Sequence, residues 1–308
     1  RGTILDSYSY TVQETDSSMA RVPDGTGEFA ATAHPTPGYA NDDAGYQAFS
    51  ASVTRAKSDV YISEAIAKNL TAKAAPDGNY YDCIELHNRG SETVSLSGCA
   101  LSNNPKNPAK WVFPDGIALA PGEYLVVYAS ENNSKVEKGD LHTNFNLSAD
   151  GASIYLFDAN GLLMDKLQTG AFLGDMSYGI DADGNYACFE TATLGAANGA
   201  GQKGVTAMVQ FLTTPGIYEG EIEIALSAPA GETIHYTLDC TTPTESSPVY
   251  EGPIKASSNT VVRAISVREG YVTNYSVSGT FLFRSDDVNH ALPVVTLVTD
   301  PANLWDEK

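Results

Sequence analysis

Residues 82–130 read "DCIELHNRGSETVSLSGCALSNNPKNPAKWVFPDGIALAPGEYLVVYAS". The opening "DCIELHN" alternates, with Ile84 and Leu86 on one face, as a half-buried β-strand requires. The closing "EYLVVYAS" (123–130) is an apolar run rich in β-forming residues, and the turn signal "APG" precedes it. Strand signals on either side of a turn-rich middle predict an antiparallel β-domain.

The same pattern continues downstream of this stretch. Further strand-like runs are "ASIYLFD" (152–158), "NYACFE" (185–190), "EIEIALSA" (221–228), "ETIHYTLD" (232–239) and "NTVVRAISV" (259–267). Turn signals recur roughly every 8–12 residues, which is typical of antiparallel sandwiches and barrels. Helical periodicity is scarce, so the predicted fold class is all-β.

An internal repeat organises the chain, and repeats reveal the architecture. "ILDSYSYTVQETDSSMARVPDG" (4–25) aligns with "LMDKLQTGAFLGDMSYGIDADG" (163–184). After two extra residues in the first copy, the alignment continues to Asn41 and Asn198. Patterned sequence precedes only the second copy. We therefore interpret residues 1–41 as the C-terminal half of a truncated module and the chain as a piece of a tandem array.

The repeat and the composition together predict the domain organisation. The segment 42–57 allows a short helix but is better interpreted as a linker, and "GAGQKG" (199–204) as a second, flexible linker. The predicted units are a half module (1–41), a linker (42–57), a complete β-module (58–198), a linker (199–204), a smaller β-module (205–283) and a tail (284–308).

Composition excludes some partners. The formal net charge is −20, which argues against nucleic acid, because phosphate binding needs clustered Lys and Arg. No apolar run approaches the ~18 residues of a membrane span. We expect no cofactor, with weak calcium binding by the acidic surface left open.

Short motifs do not identify a reaction. "GAGQKG" matches GxGxxG but lacks the strand before it and the helix after it that a dinucleotide site needs. "DADGNY" (181–186) starts like a calcium loop, yet Ala192 stands where an EF-hand has glutamate, so we interpret it as a β-turn. The five histidines are dispersed, without HExxH, and there is no GxSxG or P-loop. We assign no catalytic, cofactor-binding or metal-binding residue.

Specific residues resemble a known family. "ISEAIAKN" (62–69), residues 82–130 and "LHTNFNLSADGASIYLFDANGLLMDKL" (141–167) resemble the lamin tail domain in its bacterial form. "MSYGIDADG" and "TLGAAN" resemble that family's closing strands, and residues 7–41 resemble the closing half of another copy. The resemblance implies an immunoglobulin-like β-sandwich, and hence a chain of tandem sandwiches.

The departures from the family concern cysteine. The family usually reads D-W-I-E-L and S-G-W-x-L, and here Cys83 and Cys99 replace the two tryptophans. This paired replacement suggests a disulfide between Cys83 and Cys99. Buried free thiols are the alternative.

Residues 216–283 resemble a second family, the chitobiase/β-hexosaminidase C-terminal-like module, also called fibronectin-III-associated. The motif Y-T-x-D-G-S/T-x-P appears from Tyr236 to Pro243, with Cys240 where glycine is usual, so the turn after Asp239 is expected to differ. The resemblance implies a β-sandwich that is rarely catalytic.

The tail "ALPVVTLVTDPANLWDEK" (291–308) is similar to the opening strand of CotH-type domains, the spore-coat-protein-H-like atypical kinases. The resemblance implies that the parent protein continues into such a domain. Its nucleotide-binding and catalytic residues would lie outside this sequence. Isolated from its sheet, the apolar run "PVVTLV" should be poorly covered.

These resemblances favour a non-catalytic extracellular region of a bacterial surface or secreted CotH-like protein. It would act as a scaffold, in adhesion or in protein interaction, with a cell-surface or extracellular protein or polysaccharide as partner. The alternative is a carbohydrate- or cell-wall-binding region, and enzymatic activity in this fragment is the weakest hypothesis. Candidate stacking aromatics are Tyr39, Tyr46, Tyr80, Tyr81, Trp111, Tyr124, Tyr128, Tyr271 and Tyr275.

Overall fold

A computed structural model describes residues 7–9, 17–32, 35–52, 56, 58–133, 138–284 and 293–305. Within these ranges the regular structure comprises twenty-one strands and two short helices. The all-β prediction is confirmed. Much of the opening of the predicted half module, and residues 285–292 and 306–308 of the predicted tail, lie outside the described residues.

The N-terminal region contains a hairpin and a helix. Strands β1 (Ser18–Val22) and β2 (Glu28–Thr32) pair antiparallel, and helix α1 spans Asp43–Ser52. Much of the predicted linker 42–57 is therefore helical, and its role as a linker stays a prediction. The Asp42 side chain accepts the Gly45 N–H at 2.7 Å, which is the N-cap bond that starts a helix.

The complete module contains eleven strands in three antiparallel sheets. A five-stranded sheet has the order β13-β12-β3-β4-β9, a four-stranded sheet the order β11-β10-β6-β7, and β5 pairs with β8. The strands are β3 (Val60–Ile66), β4 (Asp82–Asn88), β5 (Val94–Ser95), β6 (Ala100–Ser102), β7 (Trp111–Val112), β8 (Ala118–Leu119), β9 (Tyr124–Ala129), β10 (Ser153–Phe157), β11 (Leu163–Gln168), β12 (Ser177–Ile180) and β13 (Tyr186–Phe189).

Strand β4 differs from the expected half-buried strand. Ile84 and Leu86 are fully buried, as the alternation predicts, but Cys83 and Glu85 on the other face are buried as well. The reason is topological: β4 lies between β3 and β9, and the loop that follows β13 covers its second face by bonding to Glu85.

The smaller module contains eight strands. Its main sheet has the order β15-β21-β20-β18, in which β15 runs parallel to β21, and two further pairs are β14 with β17 and β16 with β19. The predicted run 221–228 is divided between β16 and β17. The strands are β14 (Gln210–Phe211), β15 (Gly216–Tyr218), β16 (Ile222–Ile224), β17 (Leu226–Ser227), β18 (Thr233–Thr237), β19 (Ile254–Ala256), β20 (Thr260–Val267) and β21 (Val277–Phe283). The core is formed by buried residues including Ile224, Val262, Ala264 and Phe281.

The chain divides into two compact units, each of which is made of three separate stretches of sequence. One unit combines residues 1–61, 87–123 and 153–168 and carries the four-stranded sheet. The other combines residues 62–86, 124–152 and 169–308. It carries most of the five-stranded sheet together with the smaller module.

The linker 199–204, predicted to be flexible, is fixed by backbone hydrogen bonds. Gln202 exchanges N–H···O bonds of 2.8 and 2.9 Å with Cys188 of β13. The Lys203 N–H donates to the Gly270 carbonyl, and the Val272 N–H donates to the Gly204 carbonyl, each at 2.8 Å. A glycine-rich composition indicates flexibility only for a segment without long-range partners.

The described part of the tail, residues 293–305, does not form the predicted strand. Residues 293–300 have no regular structure and are followed by helix α2 (Ala302–Trp305). Val295 and Leu297 are 92% and 87% exposed, so the expectation of a poorly covered apolar run is confirmed. No helix in the described part of the chain has the length and hydropathy that would let it cross a bilayer.

Candidate functional site

Two glutamates lie fully buried in the five-stranded sheet, Glu64 on β3 and Glu85 on β4. A buried carboxylate is costly unless its oxygens accept hydrogen bonds. Both side chains find donors in the loop formed by residues 193–198, which we call the closing loop.

Glu64 bonds to the closing loop and to a neighbouring strand. Its carboxylate accepts the Thr193 N–H at 3.0 and 3.1 Å from its two oxygens, and the Ser177 hydroxyl of β12 at 2.5 Å. The carboxylate therefore joins β3, β12 and the start of the loop.

Glu85 makes the matching contacts one strand further on. It accepts the Gly195 N–H and, at 2.7 Å, the Ser63 hydroxyl of β3. Gly195 has φ 97°, a left-handed conformation that glycine adopts without strain. The loop can thus turn its amide toward the carboxylate.

Asn198 completes the arrangement at the end of the loop. Its Nδ2 donates to the Ser63 and Ile180 carbonyls, each at 2.9 Å, and its Oδ1 accepts the Thr193 hydroxyl at 2.5 Å. Gly179 allows β12 to lie close to β3 at this point, because a Cβ on residue 179 would lie 2.2 Å from the Ser63 carbonyl oxygen. We call Glu64, Glu85 and Asn198 the glutamate clamp.

Burial dominates the electrostatics of the clamp. It raises the pKa of Glu85 to about 7, against the hydrogen bonds from Ser63 and Gly195 that favour the ionised form. Burial likewise raises the pKa of Glu64, opposed by its bonds to Ser177 and Thr193. Burial of Asp82 raises its pKa to about 6, with the Leu147 N–H donating to it at 2.9 Å. Strongly shifted carboxylates often mark active sites, but here each caps backbone amides of a loop.

We did not predict the clamp from the sequence. The available signal was a single glutamate inside each of two strand-like runs, "ISEAI" and "DCIEL", next to residues that become buried. A charged residue in a strand is ordinarily placed on the solvent face. Only knowledge that the closing loop covers that face would have identified Glu64 and Glu85.

Another cluster brings together serine, histidine and aspartate. His142 is 3% exposed and contacts the Ser130 hydroxyl through Nδ1 at 2.8 Å and the Asp140 carboxylate through Nε2 at 3.2 Å. Hydrolytic triads use these residue types. Here the Ser130 hydroxyl also accepts the Asn132 N–H at 3.2 Å, and the ring of Tyr128 stacks on His142 at 5.1 Å. These contacts fix the segment after β9.

Comparison with protein families gives two matches. The Lamin Tail Domain model matches residues 53–171, and the Chitobiase/beta-hexosaminidase C-terminal domain model matches residues 213–278. The chain contains a lamin tail domain and a chitobiase-type C-terminal domain. Both are β-sandwich modules of typically non-catalytic kinds, and the lamin tail domain is immunoglobulin-like. No curated protein matches the chain.

The family match ends before the glutamate clamp is complete. Strands β12 and β13 and the closing loop follow residue 171. Nevertheless β12 pairs antiparallel with β3, with Gly179 opposite Glu64. In the structure, the sheet of the lamin tail domain therefore extends beyond the matched range.

The cysteines of the lamin tail domain are free thiols in the structure. Cys83 packs with Ile66, Ala75 and Tyr128, and burial raises its pKa to about 12. Burial also raises the pKa of Cys99. A buried, protonated thiol is unreactive. The bond between Cys83 and Cys99 stays a prediction, which titration of thiols in the denatured, unreduced chain decides.

Cys240 of the chitobiase-type domain has φ 67°, a left-handed conformation that glycine adopts without strain. The expectation that the turn after Asp239 differs from the family's stays a prediction. The Arg263 guanidinium donates to the Cys240 carbonyl at 2.7 Å, and Asp239 accepts the Thr241 N–H at 3.1 Å. These bonds hold cysteine in a conformation that costs about 1–2 kcal/mol for residues other than glycine.

The "DADGNY" segment forms the predicted turn. The Asp181 carboxylate accepts the Asp183 and Asn185 N–H groups at 3.0 and 2.8 Å, and Gly184 has φ 83°. Among the described residues, no three His, Cys, Asp or Glu side chains converge to hold a metal ion. Weak calcium binding stays a prediction.

The aromatic residues considered as sugar-stacking groups differ in solvent exposure. Trp111 is 1% exposed, so it belongs to the core. Tyr80 and Tyr275 are 47% and 50% exposed. Tyr275 is engaged by the lamin tail domain, since its hydroxyl accepts the Gly174 N–H at 2.7 Å and the Lys68 ammonium lies 5.2 Å from its ring.

Proposed function

We propose that residues 58–283 form a non-catalytic spacer and interaction region in the extracellular part of a bacterial surface or secreted protein. The extracellular and bacterial setting rests on the resemblances of the two modules and on the net charge of −20. The CotH-type resemblance of the tail stays a prediction.

The observation that carries the proposal is the fixed linker. Residues 202–204 bond through their backbone to Cys188 on one side and to Gly270 and Val272 on the other. The Tyr275 hydroxyl adds a second connection, to Gly174, within the same compact unit. An ordered connection resists bending, whereas a glycine-rich linker without partners behaves as a random coil.

NMR relaxation of the full chain tests the spacer role. We expect the amides of β20 in the chitobiase-type domain and of β12 in the lamin tail domain to report one rotational correlation time. Gln202→Pro removes the N–H that donates to Cys188 and should let the two regions tumble separately. Lys203→Ala is the matched control, because it changes the neighbouring side chain and keeps the backbone bonds. Separate tumbling in the unchanged protein would contradict the proposal.

A pull-down tests the interaction role. The chain is incubated with insoluble polysaccharides, purified cell wall and immobilised extracellular proteins, in calcium and in chelator. We expect retention by an immobilised extracellular protein. Retention on cell wall or on a single polysaccharide that is lost when Tyr80 is changed to alanine would replace the proposal with the alternative, carbohydrate or cell-wall binding.

A further inference from the structure

The hairpin β1–β2 repeats the hairpin β12–β13 in the same register. Arg21 pairs with Phe29 as Ile180 pairs with Tyr186. The pairs further along, up to Ser18 with Thr32 and Ser177 with Phe189, correspond as well. The sequence repeat is therefore a structural repeat.

The loop of residues 36–41 repeats the internal bonds of the closing loop. The Thr36 hydroxyl donates to Asn41 Oδ1 at 2.6 Å, and Asn41 Nδ2 donates to the Arg21 carbonyl at 3.1 Å. The corresponding bonds of Thr193 and Asn198 measure 2.5 and 2.9 Å. We call residues 36–41 the open loop.

The open loop lacks the acceptors that complete the closing loop. Within the described residues, the N–H groups of Thr36 and Gly38 donate no hydrogen bond, whereas those of Thr193 and Gly195 donate to Glu64 and Glu85. An unmade hydrogen bond is a deficit once water is excluded.

Asn41 also differs from its counterpart. Its Nδ2 reaches the Asp24 carboxylate at 3.0 Å, where the counterpart Asn198 reaches the main-chain carbonyl of Ser63. Asp24 thus provides a local acceptor in place of a neighbouring strand.

A groove borders β1 and the open loop. Its volume is about 430 Å³. Among the described residues, β1 has no strand on the edge away from β2. The lining includes Ser18, Ala20, Arg21, Thr36, Gly38 and Asn41.

We propose that this groove docks two adjacent β-strands that each carry a glutamate, supplied by another polypeptide segment. The first strand pairs antiparallel with β1, and its Ser-Glu sequence presents a carbonyl to Asn41 and a carboxylate to Thr36. The carbonyl replaces Asp24 as the acceptor of one Asn41 Nδ2 hydrogen, and the bond to the Arg21 carbonyl stays. The glutamate of the second strand accepts the Gly38 N–H. The occupant is defined by the chemistry of β3 and β4, which fill the corresponding place in the complete copy.

One lining residue sets how closely the first strand approaches. Ala20 stands at the position of Gly179, where a Cβ would lie 2.2 Å from the partner carbonyl. The docked strand must therefore lie further from β1 at this point than β3 lies from β12. Ala20→Gly removes the obstruction and should tighten docking.

The test supplies the two strands in cis. A copy of residues 58–159 placed directly before Arg1 continues in the register of the repeat. Hydrogen exchange is then followed at the Thr36 and Gly38 amides. We expect exchange to slow by at least about tenfold, as for amides that open only with a folded unit. Ala20→Gly in the same chain should slow it further.

The matched control carries alanine in place of both glutamates of the added copy, at its equivalents of Glu64 and Glu85, and should lose the protection. A synthetic peptide of residues 58–88, added in excess to the unchanged chain, provides the same strands in trans if the extended chain does not fold. Unchanged exchange at both amides with the peptide and with the extended chain would overturn the proposal. So would protection of these amides by self-association of the unchanged chain, which sedimentation would reveal, because the occupant would then be a second copy.

Discussion

The two closing hairpins of this chain have nearly the same local structure and very different surroundings. Asn198 is 8% exposed and bonds to two strands, whereas Asn41 is only partly buried and bonds within its own hairpin and to Asp24. The register of the strands and the bonds inside each loop are shared. Local sequence therefore suffices for the hairpin and the loop. The buried carboxylates come from strands more than a hundred residues away in sequence.

The largest expected effect comes from removing a clamp carboxylate. Glu64→Ala leaves the partly buried Thr193 N–H and the buried Ser177 hydroxyl without an acceptor, so the free energy of unfolding of the lamin tail domain should fall by about 3 kcal/mol. Hydrogen exchange resolved along the chain should show faster opening of β12, β13 and the closing loop, with residues 18–41 unchanged. Glu190→Ala, at an exposed glutamate, is the control and should have little effect. Equally faster exchange in the hairpins β1–β2 and β12–β13 would contradict the conclusion that only β12–β13 depends on Glu64.

The two asparagines provide a matched pair. Asn198→Ala removes bonds to the Ser63 and Ile180 carbonyls in a buried site and should cost about 2 kcal/mol. Asn41→Ala removes the corresponding bonds where water can replace them and should cost about 1 kcal/mol or less in local stability. Local opening free energies from hydrogen exchange measure both. Equal costs for the two substitutions would mean that the bonds of Asn198 to the neighbouring strands do not stabilise the closing loop.

The stability of the region around the glutamate clamp should depend on pH, because Glu85 titrates there. The pKa of Glu85 is raised from 4.5 to about 7, so the folded domain binds more protons than the unfolded chain between these values. Its stability should therefore fall as pH rises from about 4.5 to about 7, by an amount on the order of 1–3 kcal/mol. The unfolding midpoint in urea at pH 5 and at pH 7.5 measures this.

Glu85→Gln is the control for the pH effect, because it removes the titrating group and keeps an acceptor for Gly195. Self-repulsion from the net charge of −20 also weakens as pH falls, and the variant retains that contribution. Only the difference in slope between the two proteins is therefore assigned to Glu85. Identical slopes would show that the glutamate is not protonated in this range.

The smallest effect is expected at Asp24. Its carboxylate is exposed and provides the local acceptor for Asn41 at 3.0 Å. Asp24→Ala should change local stability by no more than about 0.5 kcal/mol, as is usual for surface positions. Exchange of the Tyr39 amide, which donates to the Thr36 carbonyl at 2.9 Å, measures the change. A loss as large as that of Asn198→Ala would mean that the open loop is complete without additional strands.

Two segments are more ordered in the structure than their composition indicates. Helix α1 begins at an Asp42 cap inside a segment too short for convincing periodicity. The linker 199–204 has a flexible composition but bonds to Cys188 and Gly270. Both outcomes depend on particular contacts that composition does not report.

By itself, the sequence determined the β-class, the repeat, its register and the turns, because side-chain alternation and turn chemistry act over a few residues. It also indicated both families from motifs within single modules. The tertiary structure alone decided that Glu64 and Glu85 are buried and that Cys240 adopts a left-handed conformation. It also decided that the open loop lacks acceptors equivalent to Glu64 and Glu85, which the closing loop has. These properties arise when strands and loops distant in sequence exclude water from a shared site, and burial then determines both the pKa and the need for a partner.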